Sequence, residues 1–331
     1  MLGLGSVGSI KSLLRAAQRR KRSIIGRGWL KFAPRQLSTQ IHPSAQIHPS
    51  AQLADGARVG RDCEVGPFCV IGPTATLEAG VTLRSHVVIN GVTQIGENST
   101  IHPFVSLGAT PQDLKYRGEP SALVVGRECA VHEFSSVSGG TAGGGGATTL
   151  GDGVLLMSHT HVGHDCTLGD RVVLASGAAL AGHVRVGDGA QVSGHSGVHQ
   201  KVSIGAGAFV AAASTVVDDL IPYGLAVGNR ATLRGLNLVG LRRAGAPRDE
   251  QRALLRGFRY LFGLRPSGLA PPLPLPPLAE IKARAALLRD HDAAAAAPRL
   301  AEVCEFVLGD RGPGHAFERA LCWPLARLRD V

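Results

Sequence analysis

The chain has 331 residues, only 4% of them aromatic, with 44 glycines and no run of about 18 apolar residues, which excludes a transmembrane helix. Its formal charge is +10, but nine of those charges fall in residues 1–39, before the first acidic residue, Asp55. The remainder is close to neutral, which argues against a basic folded domain gripping nucleic acid.

The N-terminal basic residues are Lys11, Arg15, Arg19, Arg20, Lys21, Arg22, Arg27, Lys31 and Arg35, set among Ser, Leu and Ala. An Arg-rich, Ser-containing, acid-free segment predicts an organelle import presequence over residues 1–37. Arg35-Gln36-Leu37-Ser38-Thr39 is similar to a mitochondrial processing site, so cleavage after Leu37 and a mitochondrial matrix location are expected. No uninterrupted apolar core follows the charges, which disfavours a secretory signal.

From Ile41 an aliphatic residue recurs every sixth position: 41, 47, 53, 59, 65, 71, 77, 83, 89, 95, 101 and 107. The series resumes at Val125, Val131 and Val137, shifts by one, and runs from Leu150 to Val216. Neither a helix period of 3.6 nor strand alternation explains six. A hexapeptide period predicts an all-β solenoid, a parallel β-helix in which three hexads make one triangular coil. Gly, Asn or Asp often follows the aliphatic (Gly60, Gly66, Asn90, Gly96, Gly169), where a corner asks for small or permissive residues. Cys63, Cys69, Cys129, Cys166, Cys304 and Cys322 include no CxxC pair and read as small buried thiols in a reducing compartment.

Two stretches interrupt the series. One lies between Leu107 and Val125, and the other is the Gly-rich GGTAGGGGATT of 139–149. Insertions in a solenoid leave as loops from one face, often the binding face. No GK[ST] follows the glycines, so a phosphate cradle is not expected there. The period ends near Pro222, dividing a β-helix domain (38–222) from an α-helical C-terminal domain (223–331). In the latter, 248–263 predicts an amphipathic helix with early acids and a Gly stop. A Pro-rich joint at 266–277 and short helices at 281–290 and 301–308 follow.

The stretch from Leu155 to His183 holds four histidines on this scaffold: His159, His161, His164 and His183. Residues 18 apart stack on neighbouring coils about 5 Å apart. His164 therefore falls beside Gly182 and His183, with His199 about one coil further, forming a row along one edge. Asp165 follows His164 and can orient its imidazole for general-base work. Hexapeptide-repeat carbonic anhydrases bind zinc through HxxxxH, and His159 with His164 has that spacing, but no histidine stands near Leu123 for the third ligand. No metal is therefore expected, and His159 receives no role. His42, His48 and His102 each precede Pro and read as structural turn residues.

The motifs GPFCVIGP, SHVVING, QDLKYRGEP, HVGHDC, LAGH, VHQ and GNRATLRGLNLVGLRR, in this order, resemble the UDP-N-acetylglucosamine O-acyltransferase family, which opens lipid A synthesis. The resemblance runs from about Ile41 to Phe262, and the last seventy residues resemble the family only in being helical. It implies a left-handed coil and a homotrimer with sites between neighbouring solenoids. It further implies a cofactor-free transfer of a 3-hydroxyacyl chain from acyl carrier protein to the 3-hydroxyl of UDP-N-acetylglucosamine. By resemblance His164 is the catalytic base, Asp165 supports it, and the Gly182 N–H stabilises the oxyanion. His161, His183, His199 and Gln200 match positions around the sugar and acyl group. Asp113 and Lys115 match substrate-holding residues, and Asn237 and Arg243 match nucleotide-side residues.

Several positions depart from the family pattern. Ser138-Gly139-Gly140-Thr141 stands where His-Arg-Gly-Thr is usual, Val239 replaces an acid, and Ala244 replaces a basic residue. Ala212 occupies a position that is Gly in long-chain enzymes, which hints at a shorter acyl chain. Two rival readings are an acyltransferase for another amino-sugar nucleotide and a non-catalytic, carbonic-anhydrase-like subunit of a mitochondrial complex.

Overall fold

The computed structural model describes residues 39–264, 277–290 and 297–309. The presequence expected at 1–37, Cys322 and nearly all of the Pro-rich joint lie outside the described residues. The chain divides into two compact units, Met1–Thr167 with Ala181–His183, and Leu168–Leu180 with Val184–Val331. No described helix is long and apolar enough to cross a membrane.

In the first unit short strands recur at the predicted interval and build three parallel sheets. Arg58–Val59 pairs with Gln40–Ile41 on one side and Thr76–Leu77 on the other, each 18 residues away. Glu64–Val65 belongs to the second sheet and Val70–Ile71 to the third. Each hexad sends two side chains inward: the periodic aliphatic (Val65, Ile71, Leu77, Leu83) and a small residue two positions earlier (Cys63, Cys69, Ala75, Val81). Burying each aliphatic contributes roughly 1.5–3 kcal/mol, so the column as a whole holds the coil together.

The cysteines of the repeat fill this small-residue position, as expected. Cys63 Sγ donates to Glu78 O at 2.9 Å and Cys69 Sγ to Arg84 O at 2.8 Å, on the neighbouring coil. Burial pushes both thiols above their usual range, and that of Cys129 up to about 11.

The glycines that follow the aliphatic prove to have a different cause from the one expected. The left-handed corner is two residues further on, at Asp62, Phe68, Asn98, Phe104, Phe134 and His159. What Gly66 supplies is room, because a Cβ there would lie 2.8 Å from Arg84 O on the next coil. Among the corner residues, Phe68, His86, Phe104, Phe134 and His159 stack in one column with ring centroids 4.8–5.1 Å apart.

Both insertions leave the same corner. The first lies between Ser106–Ala109 of the third sheet and Ala122–Val125 of the first, and the second between Ser136–Ser138 and Ala147–Leu150 of the same two sheets. The other two corners stay regular.

The second unit continues with the same two-residue strands, for example Val173–Leu174 against Gln191–Val192. The boundary expected at 222/223 does not coincide with the end of the sheet. Gly224–Val227 pairs parallel with Phe209–Val210, and Thr232–Leu236 folds back antiparallel on it. Helices α1 (Leu238–Arg243), α2 (Arg248–Phe262), α3 (Leu278–Arg289) and α4 (Pro298–Leu308) follow. Helix α2 has Asp249 and Glu250 in its first turn and left-handed Gly263 at its end, as its sequence predicts. Helices α3 and α4 each begin three residues earlier than expected. Gly257 of α2 admits Leu300 of α4 against its backbone, and Tyr223 Oη donates to Glu302 Oε2 at 2.5 Å.

Candidate active site

The third-to-first corner carries His164 and Asp165. Val162 packs inward, the chain turns, and Asp165 takes the left-handed conformation (φ 63°), which Asp tolerates better than most residues. The next coil places His183 at the equivalent corner, its N–H donating to His164 O at 2.8 Å. The adjacency of His164, Gly182 and His183 expected from the repeat is therefore present.

His164 is buried, and its Nδ1 lies 2.7 Å from Asp165 Oδ2. The Asp165 side chain is fully enclosed and is held from three directions. Thr141 donates its N–H to Oδ1 and its hydroxyl to Oδ2, both at 2.7 Å, while the Asp165 N–H donates to Thr148 Oγ1 at 2.9 Å. A carboxylate accepting this many donors stays an acceptor, so the proton between it and His164 belongs on Nδ1. That leaves Nε2 with the lone pair. Gly182 lies directly against it, since a Cβ on Gly182 would be 2.5 Å from Nε2. His183 meets His164 edge-on at 4.9 Å, with its Nε2 3.7 Å from Asp165 Oδ2.

His161 is part of the same corner. Its Nδ1 lies 2.8 Å from Ser136 Oγ, and burial, aided by His164, holds its pKa below the ordinary imidazole value. Asp113 and Lys115 are on the first inserted loop, where the Lys115 N–H donates to Asp113 Oδ1 at 2.9 Å. That N–H lowers the Asp113 pKa most, and the nearby His164 and His183 lower it further. Asp113 therefore lies within electrostatic reach of His164 and His183, while the Lys115 side chain is exposed.

His159 is not in this group. It stacks on Phe134 at 4.9 Å in the aromatic column of the second-to-third corner, so the HxxxxH pair does not assemble.

The remaining predicted residues belong to the second unit, where His199, Gln200, Ala212 and Arg243 are all exposed. The row is therefore established for His164 and His183, and His199 is described in its own unit, its Nδ1 3.3 Å from Gln200 O. Asn237 caps helix α1: its Oδ1 accepts from Gly240 N–H at 2.9 Å and its Nδ2 donates to Gly207 O at 3.0 Å.

Thr148 and Ser136 had no part in the sequence analysis, and Thr141 entered it only as the end of a motif that departs from the family pattern, yet the three orient Asp165 and His161. The Gly-rich insertion was the available signal. Its glycines let the loop close on the carboxylate, since a Cβ on Gly144 would overlap Asp165 itself. At Gly139, where an Arg is usual in the family, Ser121 Oγ occupies the space of the missing Cβ.

Comparison with known proteins agrees with this geometry. The profile described as UDP-N-acetylglucosamine O-acyltransferase, domain 2, matches residues 219–313, and the bacterial transferase hexapeptide profile matches 38–73 and 147–182. The first match carries the family likeness well beyond Phe262, correcting the reading that the last seventy residues share only helicity. The chain is similar to an acyl-[acyl-carrier-protein]–UDP-N-acetylglucosamine O-acyltransferase of Mesorhizobium japonicum, 56% identical over 54% of this chain and 64% of that one. A Rickettsia canadensis protein of the same description is 56% identical over 54% and 68%. The matched stretch thus spans about two thirds of these relatives. The solved UDP-N-acetylglucosamine acyltransferase of Campylobacter jejuni superposes with a TM-score of 0.72 at 33% identity, covering 85% of this chain and all of that one. The coil is accordingly the left-handed parallel β-helix that the resemblance implied. A shared solenoid, a shared C-terminal segment and identity above half over 178 and 179 matched residues together establish that this chain belongs to the UDP-N-acetylglucosamine O-acyltransferase family.

Proposed function

We propose that the protein transfers a 3-hydroxyacyl chain from acyl carrier protein to the 3-hydroxyl of UDP-N-acetylglucosamine, the opening step of lipid A synthesis. The observation that carries this reading is the buried His164–Asp165 pair, with Nδ1 committed to the carboxylate and Nε2 turned to Gly182. His164 Nε2 removes the proton of the sugar hydroxyl as its oxygen attacks the thioester carbonyl carbon. A carbon–oxygen bond forms, and the carbonyl oxygen becomes an oxyanion that accepts from the Gly182 N–H. Collapse of the adduct breaks the carbon–sulfur bond, and the departing thiolate takes the proton from the His164 imidazolium. Asp165 stays ionised throughout and stabilises that imidazolium, as the acid of a triad does.

His161, His183 and Asp113 line the sugar and acyl side of this centre. Lys115, His199, Gln200, Asn237 and Arg243 complete the binding surface through a homotrimer in which neighbouring solenoids share each site. The exposure of His199, Gln200 and Arg243 supports this, because it leaves them available to a neighbouring copy or a nucleotide diphosphate. Ala212, an exposed residue carrying an extra methyl, shortens the accepted chain. Residues 1–37 direct the protein to the mitochondrial matrix, on the strength of their charge pattern.

The deciding experiment is a direct assay with UDP-N-acetylglucosamine and a ladder of 3-hydroxyacyl carrier proteins. The expected result is an acylated UDP-sugar with a preference for shorter chains. No product from any chain length overturns the reading, and product only with another amino-sugar nucleotide redirects it.

A further inference from the structure

A second group of ligating side chains is found away from the third-to-first corner. His102 and His132 each follow the inward aliphatic of a second-sheet strand, and the pairing of Ile101 with Val131 sets them side by side on adjacent coils. Their rings stack with centroids 4.1 Å apart and planes 17° apart. Glu133 faces both: Oε1 is 3.4 Å from His102 Nδ1, and Oε2 is 3.6 Å from His132 Nδ1. These separations are too long for good hydrogen bonds, which run near 2.7–3.2 Å. Each is close to the donor-to-donor edge of a tetrahedral site, about 3.4 Å when the metal–nitrogen and metal–oxygen bonds are near 2.0–2.2 Å, although the two end on different carboxylate oxygens.

We propose that His102, His132 and Glu133 form a binding site for a divalent transition-metal ion of the zinc class, with an open fourth position.

Two imidazole nitrogens and one carboxylate are donors that such ions select over magnesium or calcium. The three donor atoms lie within 4.8 Å of one another, and turning the two stacked rings toward each other at their partly exposed edge points both nitrogens at one ion. All three side chains are partly exposed, leaving a path for entry and a place for water. Ser158 Oγ donates to Glu133 Oε2 at 3.3 Å, an orienting contact of the kind that metal-bound carboxylates use. Phe104 and Phe134, stacked at 5.1 Å on the same corner, give the site an apolar flank. The His164, Asp165 and His183 group is the competing location. It is less suited, because both Asp165 oxygens already accept hydrogen bonds from Thr141. The pairing is hidden in the sequence because the first insertion puts 30 residues, not 18, between His102 and His132.

The test uses untagged full-length protein stripped with chelator. It is titrated with zinc by calorimetry and with cobalt(II), whose visible bands report tetrahedral nitrogen and oxygen ligands. One saturable equivalent is expected, retained in His164→Gln and lost in His102→Gln/His132→Gln. Glu133→Gln, an isosteric change at a partly exposed position that the fold tolerates, weakens binding by about 10-fold or more. The proposal is overturned if binding survives the double substitution in a protein of unchanged melting temperature, or if His164→Gln alone removes it. It is equally overturned if no binding tighter than about 1 mM is seen in the unsubstituted protein.

Discussion

Thr141 closes on Asp165 with two donors at once, its amide and its hydroxyl each 2.7 Å from a different carboxylate oxygen. The two residues are 24 positions apart, yet this contact decides how His164 is held. Asp165 cannot swing away from the imidazole while both its oxygens are engaged, so Nδ1 keeps its partner and Nε2 keeps the lone pair.

Replacing Thr141 by Val removes the hydroxyl and keeps the shape and the amide. A hydrogen bond to a charged group contributes about 1.5–3 kcal/mol, so kcat is expected to fall roughly 10- to 100-fold. Thr141→Ser should restore most of it. Comparing the pH–rate profiles of the three proteins checks this, since a merely structural role would leave the profile unmoved.

His164→Ala removes the base itself. General-base catalysis is worth about 10²- to 10⁴-fold, and a loss in that range is expected with little change in substrate binding or melting temperature. A purified variant retaining more than a tenth of the rate would sink the assignment.

Gly182→Ala tests the other side of the ring. The added methyl would stand 2.5 Å from Nε2, closer than any real contact allows. The imidazole must rotate off its line to Asp165, so activity should fall at least as far as in Thr141→Val while the circular dichroism of the coil persists. An active Gly182→Ala enzyme would show that this face is not the reacting one.

The inward column sets stability. Ile101 is fully buried, and Ile101→Ala should cost about 2–5 kcal/mol in urea unfolding, as large-to-small core changes do. Ile41, exposed on the first described coil, should cost far less, which makes the pair an internal control.

The half-buried His161 gives stability an acid limb. His161 has a folded pKa below the ordinary 6.5, so the unfolded chain binds its proton more readily than the native protein does. The stability that follows is fully present above the unfolded value and is lost as pH falls toward the folded one. Melting temperature should therefore drop from about pH 7.5 to 5.5, and His161→Gln should flatten that drop. Differential scanning fluorimetry across this range decides it.

The sequence was most informative where periodicity does the work. A strict hexad names both the inward residue and its neighbour 18 positions on, so the column and the meeting of His164 with His183 followed from counting. It was least informative where the count breaks. Thr141 reaches the site from the second insertion, where hydrogen bonding and close backbone approach, not period, set the path, and Ser136 pairs in register with His161 across a count that the insertion lengthens to 25. The hairpin Gly224–Leu236 has the same history: it extends the sheet by backbone pairing that needs no hexad, so the end of the period looked like the end of the β-structure. His102 and His132 stack for a reason the period does contain, but the first insertion shifts the arithmetic.

Because both insertions spring from one corner, the molecule separates its permanent parts from its adjustable ones. The coil fixes spacing and can change only in whole turns, whereas the loop at 110–121 leaves the stack beneath it undisturbed and the loop at 139–146 is tied to the site through Thr141 and Gly144. A transplanted loop at 110–121 would thus leave the imidazole and its carboxylate in place, while one at 139–146 would have to bring a threonine equivalent to Thr141 with it.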